Sequence, residues 1–272
     1  MIRAAIFILD ANRAIIPRKL NLSAHRDTLR KVSTQSQFPP KSPLPSCALK
    51  SLFPADVVVR ERRLPGDPAD LLASEAAFVK NAVSKRINEF AAGRACARFA
   101  LAELGVHNVA LHPADDRQPV WPAGFIGTIT HTTGLCAAAV AACRSILAIG
   151  LDSEIIGAPA PDIWSTICRD EELGWVGLLP VGERPAAVTL LFSAKEAFYK
   201  CQYPLVGEWL DFHDLSIAVN DWGRTNGTFA ASAVRKIRFT RHAVLPIAGR
   251  YVFHEQFVSA GVSVPAAAAS PQ

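Results

Sequence analysis

Two short segments of the chain concentrate acidic and basic side chains. Asp152 and Glu154 follow an apolar run. Further along the chain, Glu196 stands between Lys195 and Lys200. Residues two apart on a strand point to the same side, so Asp152 and Glu154 are predicted to face one site, where close like charges need a cation, a proton or basic groups. Hard oxygen donors without neighbouring Cys or His favour Mg²⁺ over zinc. With Glu196 as a third ligand and the two lysines as counter-charge, the pattern fits a pyrophosphate chelated by Mg²⁺.

Purely structural explanations of the same residues stay open at this point. An Asp-x-Glu pair at the end of a strand is also typical of a solvated loop. Ser193 and Glu196 have the spacing of a capping box at the start of a helix. Glu196 and Lys200 are an i, i+4 pair in the order that stabilises a helix. The interpretation of these residues therefore depends on the segments around them.

Three upstream segments carry further basic and polar side chains. In chain order they contain Arg86 and Arg94, then Arg117, Gln118 and Pro119, and then Thr130 and His131. Together with the two segments above, this ordered series resembles the 4′-phosphopantetheinyl transferases of the enterobactin-synthase component D type. The resemblance runs from about residue 52 to about residue 212.

Hydrophobic periodicity predicts an α+β chain. One or two helices are expected within 74–104, and a three-strand meander over 125–152. Helices are expected at 161–180 and 185–202, followed by short strands at 215–219, 228–234 and 250–257. The resemblance implies two similar α/β subdomains with pseudo-twofold symmetry, each a small, mostly antiparallel sheet packed on helices. It also implies that coenzyme A lies in the cleft between them.

The expected domain organisation has four parts. Residues 1–50 are a basic tail or upstream extension, 51–150 the subdomain that binds coenzyme A, 151–258 the subdomain on the metal and carrier side, and 259–272 a disordered tail. The subdomain boundary is expected near 150–157. In this arrangement Asp152 ends one half and Glu196 belongs to the other, so that a metal would bridge them.

The resemblance also implies roles for individual residues. Asp152, Glu154 and Glu196 correspond to the Mg²⁺ ligands. Glu196, or a water that it polarises, is the candidate general base, and Lys195 and Lys200 stabilise the leaving phosphate. The expected coenzyme A contacts are Arg86, Arg94, Arg117, Gln118, Pro119, Thr130, His131, Asp152, Lys195 and Lys200. Arg98 and Trp121 are interpreted instead as packing residues.

The implied activity is the Mg²⁺-dependent transfer of 4′-phosphopantetheine from coenzyme A to the attachment serine of an apo acyl, peptidyl or aryl carrier protein, with release of 3′,5′-ADP. The resemblance suggests siderophore or other nonribosomal peptide biosynthesis as the setting. Two alternatives are a non-catalytic coenzyme A or nucleotide-binding module and a Mg²⁺-dependent phosphohydrolase, since three carboxylates alone do not separate transfer from hydrolysis.

Composition limits other classes of function. The net charge of +5 comes from residues 1–50, which hold nine Lys or Arg against two Asp, whereas the rest of the chain carries 20 basic and 22 acidic side chains. No nucleic-acid partner is therefore expected for the catalytic body. The tail is interpreted as sequence upstream of the natural start, with a transit peptide or an arm that binds nucleic acid or a membrane surface as alternatives. Six cysteines without a CxxC pair argue against a zinc ribbon. No apolar run approaches the roughly eighteen residues that span a bilayer. A reducing cytoplasm is the default location for such cysteine usage, and the resemblance implies a monomer.

Overall fold

Two antiparallel sheets form the framework of the protein. A computed structural model describes residues 48–266. The first sheet has the strand order β1 (Val57–Arg63), β3 (Leu135–Ala142), β2 (Phe125–Thr132). The second has the order β4 (Ile146–Ile155), β8 (Phe257–Pro265), β7 (Ile247–His254), β6 (Asn226–Ala233), β5 (Leu215–Val219).

Helices cover both sheets, which confirms the α+β prediction. The α-helices are α1 (Ala73–Ala76), α2 (Ser84–Glu103), α3 (Trp164–Ile167), α4 (Asp170–Leu178) and α5 (Arg184–Val206). Short 3₁₀ turns lie at Ala48–Leu52, Pro68–Asp70, Pro161–Ile163, Phe212–Asp214 and Arg238–Arg241. Helix α2 packs on the first sheet and α5 on β4 and β8 of the second.

The alanine-rich strand β3 is buried along its whole length. Side chains alternate between the faces of a strand, so each face of β3 meets a different layer. Ala138 and Val140 pack with α2. Ala137, Ala139 and Ala141 pack instead with β1 and β4. Small residues suit this position, because both faces of the strand are covered by closely packed neighbours.

Helix α5 lies directly on β4, and a glycine makes this close approach possible. A Cβ atom added to Gly150 would lie 1.9 Å from the carbonyl oxygen of Ala197, which no side chain tolerates. Pro185 in the first turn and Gly207, with φ +60° just after the last, are typical residues for a helix start and end. The contact places the middle of α5 beside the acidic segment of β4.

The two sheets meet along β2 and β4 through side-chain hydroxyls. Thr128 Oγ1 accepts a hydrogen bond from the main-chain N–H of Leu151 at 3.4 Å, and Thr130 Oγ1 accepts one from Ser153 at 3.2 Å. The main-chain ladder of β4 is made with β8. The predicted three-strand meander is therefore right in its strand positions and wrong in its topology, because β4 joins the second sheet.

The C-terminal end of the described residues is a strand of the second sheet. The disordered tail expected from residue 259 is wrong as far as Pro265, since β8 continues to that residue and is largely buried. Its small residues reflect tight packing: a Cβ atom at Gly261 would lie 2.8 Å from Leu52 and Phe53. Of the expected basic tail, residues 1–47 lie outside the described part.

The change from one sheet to the other falls at 143–145, a few residues before the expected boundary, and the domain division itself stays a prediction.

Candidate active site

The two carboxylates of β4 face the threonines of β2. Asp152 is 3% exposed, and its Oδ1 accepts hydrogen bonds from Lys200 Nζ at 2.8 Å and from Thr130 Oγ1 at 3.3 Å. Glu154 Oε2 accepts one from Thr132 Oγ1 at 3.3 Å. Both carboxylates thus point to the same side of β4, as the spacing predicts. Within residues 48–266, the buried Asp152 Oδ2 has no hydrogen-bond partner.

Helix α5 presents Glu196 and Lys200 to the cleft. The two residues are four apart, so they lie on one face of the helix, and both line a cavity of about 190 Å³. Glu196 lies well inside α5, and Ser193 is also interior and buried. The capping-box alternative for Ser193 and Glu196 is therefore wrong, because the helix begins at Arg184, more than two turns earlier.

Lys195 points away from the cleft into the core of the second half. Its side chain is 1% exposed, and Nζ donates to Glu172 Oε2 at 2.7 Å, to Ile167 O at 2.8 Å and to Phe212 O at 3.0 Å. An ammonium group has three donors, and all three are used here. Burial lowers the pKa of Lys195, an effect that the neighbouring Glu172 carboxylate opposes. The prediction that Lys195 binds a phosphate is corrected: the residue anchors α5 to α3, α4 and the 3₁₀ turn at Phe212–Asp214.

A basic cavity of about 480 Å³ lies on the other side of β2, against α2. It is lined by Arg86, Arg94, Arg117 and His131. Arg86 Nη1 lies 3.5 Å from His131 Nε2, and the ring of Phe90 lies under both helical arginines, 4.1 Å from Arg94 Cζ and 5.9 Å from Arg86 Cζ. Arg86 and Arg94 therefore lie on one side of α2, as their eight-residue spacing in a helix requires.

One acidic side chain belongs to the same wall. Glu89 lines the basic cavity, and its Oε2 lies 4.0 Å from His131 Nδ1. Glu89 Oε1 lies 3.6 Å from Lys85 Nζ. The cavity therefore keeps an excess of positive charge despite Glu89, because Arg86, Arg94 and Arg117 line it as well.

The segment after Leu111 forms a tight loop over both cavities. Pro113 and Pro119 form an isolated antiparallel bridge, and Arg117 adopts φ +69° at the tip. Gln118 donates to Asp116 Oδ2 at 2.5 Å. A non-glycine residue in the left-handed region is uncommon and often marks a functional turn. Arg117 and Pro119, together with Arg86 and Ile129, line both cavities, which are therefore contiguous.

Thr130 occupies a different position from the one expected. It is 1% exposed, and its hydroxyl bonds Asp152 and the Ser153 main chain. Its neighbour His131 lines the basic cavity. The expectation of a direct phosphate contact from Thr130 is corrected, because its hydroxyl joins β2 to β4 and supports Asp152.

Three aromatic residues line the smaller cavity, and the sequence analysis assigns no role to two of them, Tyr199 and Tyr203. Tyr199 and Tyr203 stack with ring centroids 5.1 Å apart, and Trp121 forms another wall. Burial raises the pKa of Tyr199, and its hydroxyl has no hydrogen-bond partner in the described part of the chain. Positions 196, 199, 200 and 203 share one helix face, so their spacing indicates that the two tyrosines lie beside Glu196 and Lys200. Trp121 was interpreted as packing, and it does pack: a Cβ atom at Gly127 would lie 2.5 Å from its ring.

Comparison with known proteins identifies the family. The 4′-phosphopantetheinyl transferase N-terminal domain matches residues 74–141, and the 4′-phosphopantetheinyl transferase superfamily matches residues 148–254. The chain is 42% identical over 171 residues to 4′-phosphopantetheinyl transferase Svp of Streptomyces mobaraensis, covering 61% of this chain and 68% of Svp. It is 35% identical over 187 residues to 4′-phosphopantetheinyl transferase Npt of Nocardia iowensis, covering 66% and 82% of the two chains. The chain belongs to the 4′-phosphopantetheinyl transferase family.

A third relative connects the transferase to the subgroup expected from its motifs. Enterobactin synthase component D of Salmonella typhimurium is 40% identical over 126 residues, which cover 45% of this chain and 50% of that protein. The two-sheet α+β fold agrees with membership of this family. No helix within residues 48–266 is both long and apolar enough to cross a membrane.

The acidic groups of the transferase are not a preassembled metal site. Among residues 48–266, no group of three or more His, Cys, Asp or Glu side chains lies close enough to hold a metal ion. The Lys200 ammonium instead lies against Asp152. The expectation that a metal bridges the halves is corrected as well, because β4 and α5 pack together in the second half. The donor chemistry nevertheless fits Mg²⁺, since the buried Asp152 Oδ2 has no hydrogen-bond partner within residues 48–266 and carboxylate oxygens are the ligands that Mg²⁺ prefers.

Proposed function

We propose that this transferase moves 4′-phosphopantetheine from coenzyme A to the attachment serine of an apo carrier protein and releases 3′,5′-ADP. The observation that supports this most is the pair of contiguous cavities with different linings. One is basic. The other has a mainly apolar surface with Trp121, Tyr199 and Tyr203 in its wall, and Glu196 and Lys200 stand in the same wall. Coenzyme A has the matching polarity, with an anionic nucleotide at one end and an uncharged arm at the other.

The basic cavity is the proposed site of the 3′-phosphoadenosine diphosphate. Arg86 and Arg94 offer forked donors that suit phosphate oxygens, and their shared contact with Phe90 holds them on one wall. Arg117 lines the same cavity from its loop, and His131 lies 3.5 Å from Arg86. Gln118 and Pro119 shape the loop rather than supply charge. The nucleotide is therefore expected to lie between α2 and this loop.

The aromatic cavity is the proposed site of the pantetheine arm. Its walls of Trp121, Tyr199 and Tyr203 bury the apolar part of the arm. The Tyr199 hydroxyl has no hydrogen-bond partner in the described part of the chain, and an amide oxygen of the arm is its proposed partner. This placement brings the β-phosphate to the junction of the cavities, next to Lys200.

Asp152, Glu154 and Glu196 are the residues that would hold Mg²⁺ in this proposal. Their oxygens are the hard donors that Mg²⁺ prefers. When bound, the ion neutralises pyrophosphate charge. Lys200 supplies the positive charge against Asp152 in the structure described here, so binding of the ion and displacement of Lys200 toward the substrate are expected to be linked.

The residues of the chain have defined tasks in the proposed reaction. Glu196 takes the proton of the carrier serine hydroxyl, whose oxygen forms a bond to the β-phosphorus of coenzyme A. The bond from that phosphorus to the bridging oxygen breaks, and 3′,5′-ADP leaves with the electron pair. Lys200 stabilises the charge that develops on the leaving phosphate. Thr130 and Thr132 orient the carboxylates of β4 from the opposite strand.

The proposed setting is siderophore or other nonribosomal peptide biosynthesis. Support comes from the likeness to a protein named enterobactin synthase component D. The proposed partner is accordingly a peptidyl or aryl carrier domain, with acyl carriers as further members of the test panel. Family membership favours transfer over the alternatives of a binding module and a phosphohydrolase.

The test is a transfer assay with the full chain, coenzyme A, Mg²⁺ and a panel of apo carriers. Mass spectrometry of the carrier should show the addition of one phosphopantetheine group. Coenzyme A cleavage without a change in the carrier would favour the phosphohydrolase, and binding without any reaction would favour the module. Lys200→Met should reduce transfer strongly, whereas the exposed Lys236→Met serves as a matched control and should not.

A further inference from the structure

Glu75 in α1 is a fully buried carboxylate that the proposed chemistry does not use. It is 0% exposed, and its two oxygens accept hydrogen bonds from Arg98 Nη1 at 2.7 and 2.5 Å. Oε2 also accepts one from the Leu72 main chain at 3.0 Å, and Oε1 accepts one from Leu111 N at 2.9 Å. A buried charge is tolerated only when it is paired and fully bonded, and here four hydrogen bonds meet that requirement.

The main chain of Leu111 connects this carboxylate to the basic cavity. Its N–H is held by Glu75, and its carbonyl accepts a hydrogen bond from Arg94 Nε at 2.7 Å. Arg94 in turn lies over the Phe90 ring and lines the basic cavity. Leu111 also begins the loop that carries Arg117. A single main-chain segment therefore links one phosphate-binding arginine to the loop that carries another.

We propose that Glu75 is a positioning residue for the nucleotide part of coenzyme A, acting through Leu111 on Arg94 and on the loop of Arg117. This inference rests on the proposed function, because it takes the basic cavity as the nucleotide site. Arg86 and His131 lie 3.5 Å apart on the wall of the same cavity, and replacing Glu75 leaves both of these side chains in the protein. Loss of Glu75 therefore weakens nucleotide binding without abolishing it.

The test measures the affinity of the full chain for 3′,5′-ADP by calorimetry. In Glu75→Met with Arg98→Met, both buried charges are removed together, so neither is left unpaired, and such replacements are often neutral for stability. The Kd for 3′,5′-ADP should rise roughly tenfold, the factor that one lost hydrogen bond represents. Glu75→Gln keeps an acceptor for Leu111 and should bind close to the wild type.

A control removes another Arg–Glu pair that has one partner on α2. Arg60 of β1 and Glu103 at the far end of α2 form an ion pair, with both side chains 43% exposed. Arg60→Met with Glu103→Met should leave the Kd unchanged. Wild-type affinity in the Glu75 double variant, or an equal loss in Glu75→Gln or in the control, would overturn the inference.

A second measurement needs no variant and covers the case in which the double variant does not fold. Hydrogen exchange of the Leu111 amide in the wild type should slow when 3′,5′-ADP binds, because the ligand fixes Arg94 and thereby the Leu111 peptide. Unchanged exchange in the bound protein contradicts the inference. Failure of wild-type transfer with intact 3′,5′-ADP binding counts against the proposed function alone, whereas absence of 3′,5′-ADP binding removes the nucleotide site and this inference with it.

Discussion

Lys195 and Lys200 are near neighbours in sequence, yet the structure predicts opposite consequences for their replacement by methionine. Lys195 is 1% exposed and pairs with Glu172, which is 3% exposed. Lys200 is 22% exposed and pairs with Asp152 at the cleft. The first replacement should therefore damage folding and the second should damage transfer.

The size of the effect at Lys195 follows from its surroundings. Removing the ammonium leaves Glu172 as a buried, uncompensated charge that still accepts hydrogen bonds from Ile217 N and Arg169 N, each at 2.8 Å. Breaking one partner of a buried pair costs about 3–5 kcal/mol of unfolding free energy. For a domain of this size, the melting temperature should fall by roughly 10 °C. Adding Glu172→Gln to Lys195→Met should recover part of this loss, because the amide still accepts one main-chain hydrogen bond without carrying a charge.

Lys200→Met should cost less stability than Lys195→Met, because water reaches the partly exposed Lys200 position and can solvate the Asp152 carboxylate that loses its partner. Its transfer rate should fall by ~10²–10³-fold, the typical effect of removing one group that stabilises transition-state charge. Thermal unfolding and the rate per folded molecule, measured at a temperature where both variants are folded, separate the two effects. A Lys195→Met protein with wild-type stability and no transfer would refute the assignment, and so would a fully active Lys200→Met protein.

Glu196→Gln should reduce kcat for transfer by ~10²–10⁴-fold, the range for a lost general base, whereas Arg98→Ala should act mainly on stability; similar kcat losses in both would contradict this. Removal of divalent ions with EDTA should abolish transfer and added Mg²⁺ should restore it, with the modified carrier followed by mass spectrometry; undiminished transfer after chelation would exclude the metal role. Burial lowers the pKa of His254 to about 4. Because the unfolded chain takes up that proton first, stability is full above about pH 6.5 and falls by about 2 kcal/mol toward pH 5. Urea unfolding of the wild type should therefore show a steeper pH dependence than that of His254→Gln.

Local pattern was sufficient for most elements of secondary structure. The helix predicted within 74–104 and the strands at 125–152 are present, because periodicity and turn residues act over short distances. The partner of β4 was not predictable in the same way. A tight turn at 143–145 suggests a hairpin with β3, but the ladder with β8 joins residues more than a hundred positions apart.

Composition misled the interpretation of the C-terminal end. Ala, Ser, Gly and Pro after residue 259 are typical of a disordered tail, yet β8 uses the same small residues to fit between β4 and β7 and beneath Phe53. Small side chains occur both in disordered segments, which bury little apolar surface, and at tightly packed positions. The residues that surround them in the fold distinguish the two cases.

The family, the α+β class and the shared direction of Asp152 and Glu154 are all predictable from the sequence, because ordered motifs and a two-residue strand period are local properties. Which lysine enters the cleft depends on the tertiary structure. Consecutive helical positions differ by about 100°, so the packing of α5 on Gly150 directs Glu196 and Lys200 to the cleft and turns Lys195 into the core. The same packing placed all three carboxylates in one half of the molecule, since the contact between α5 and β4 joins segments that are distant in the chain.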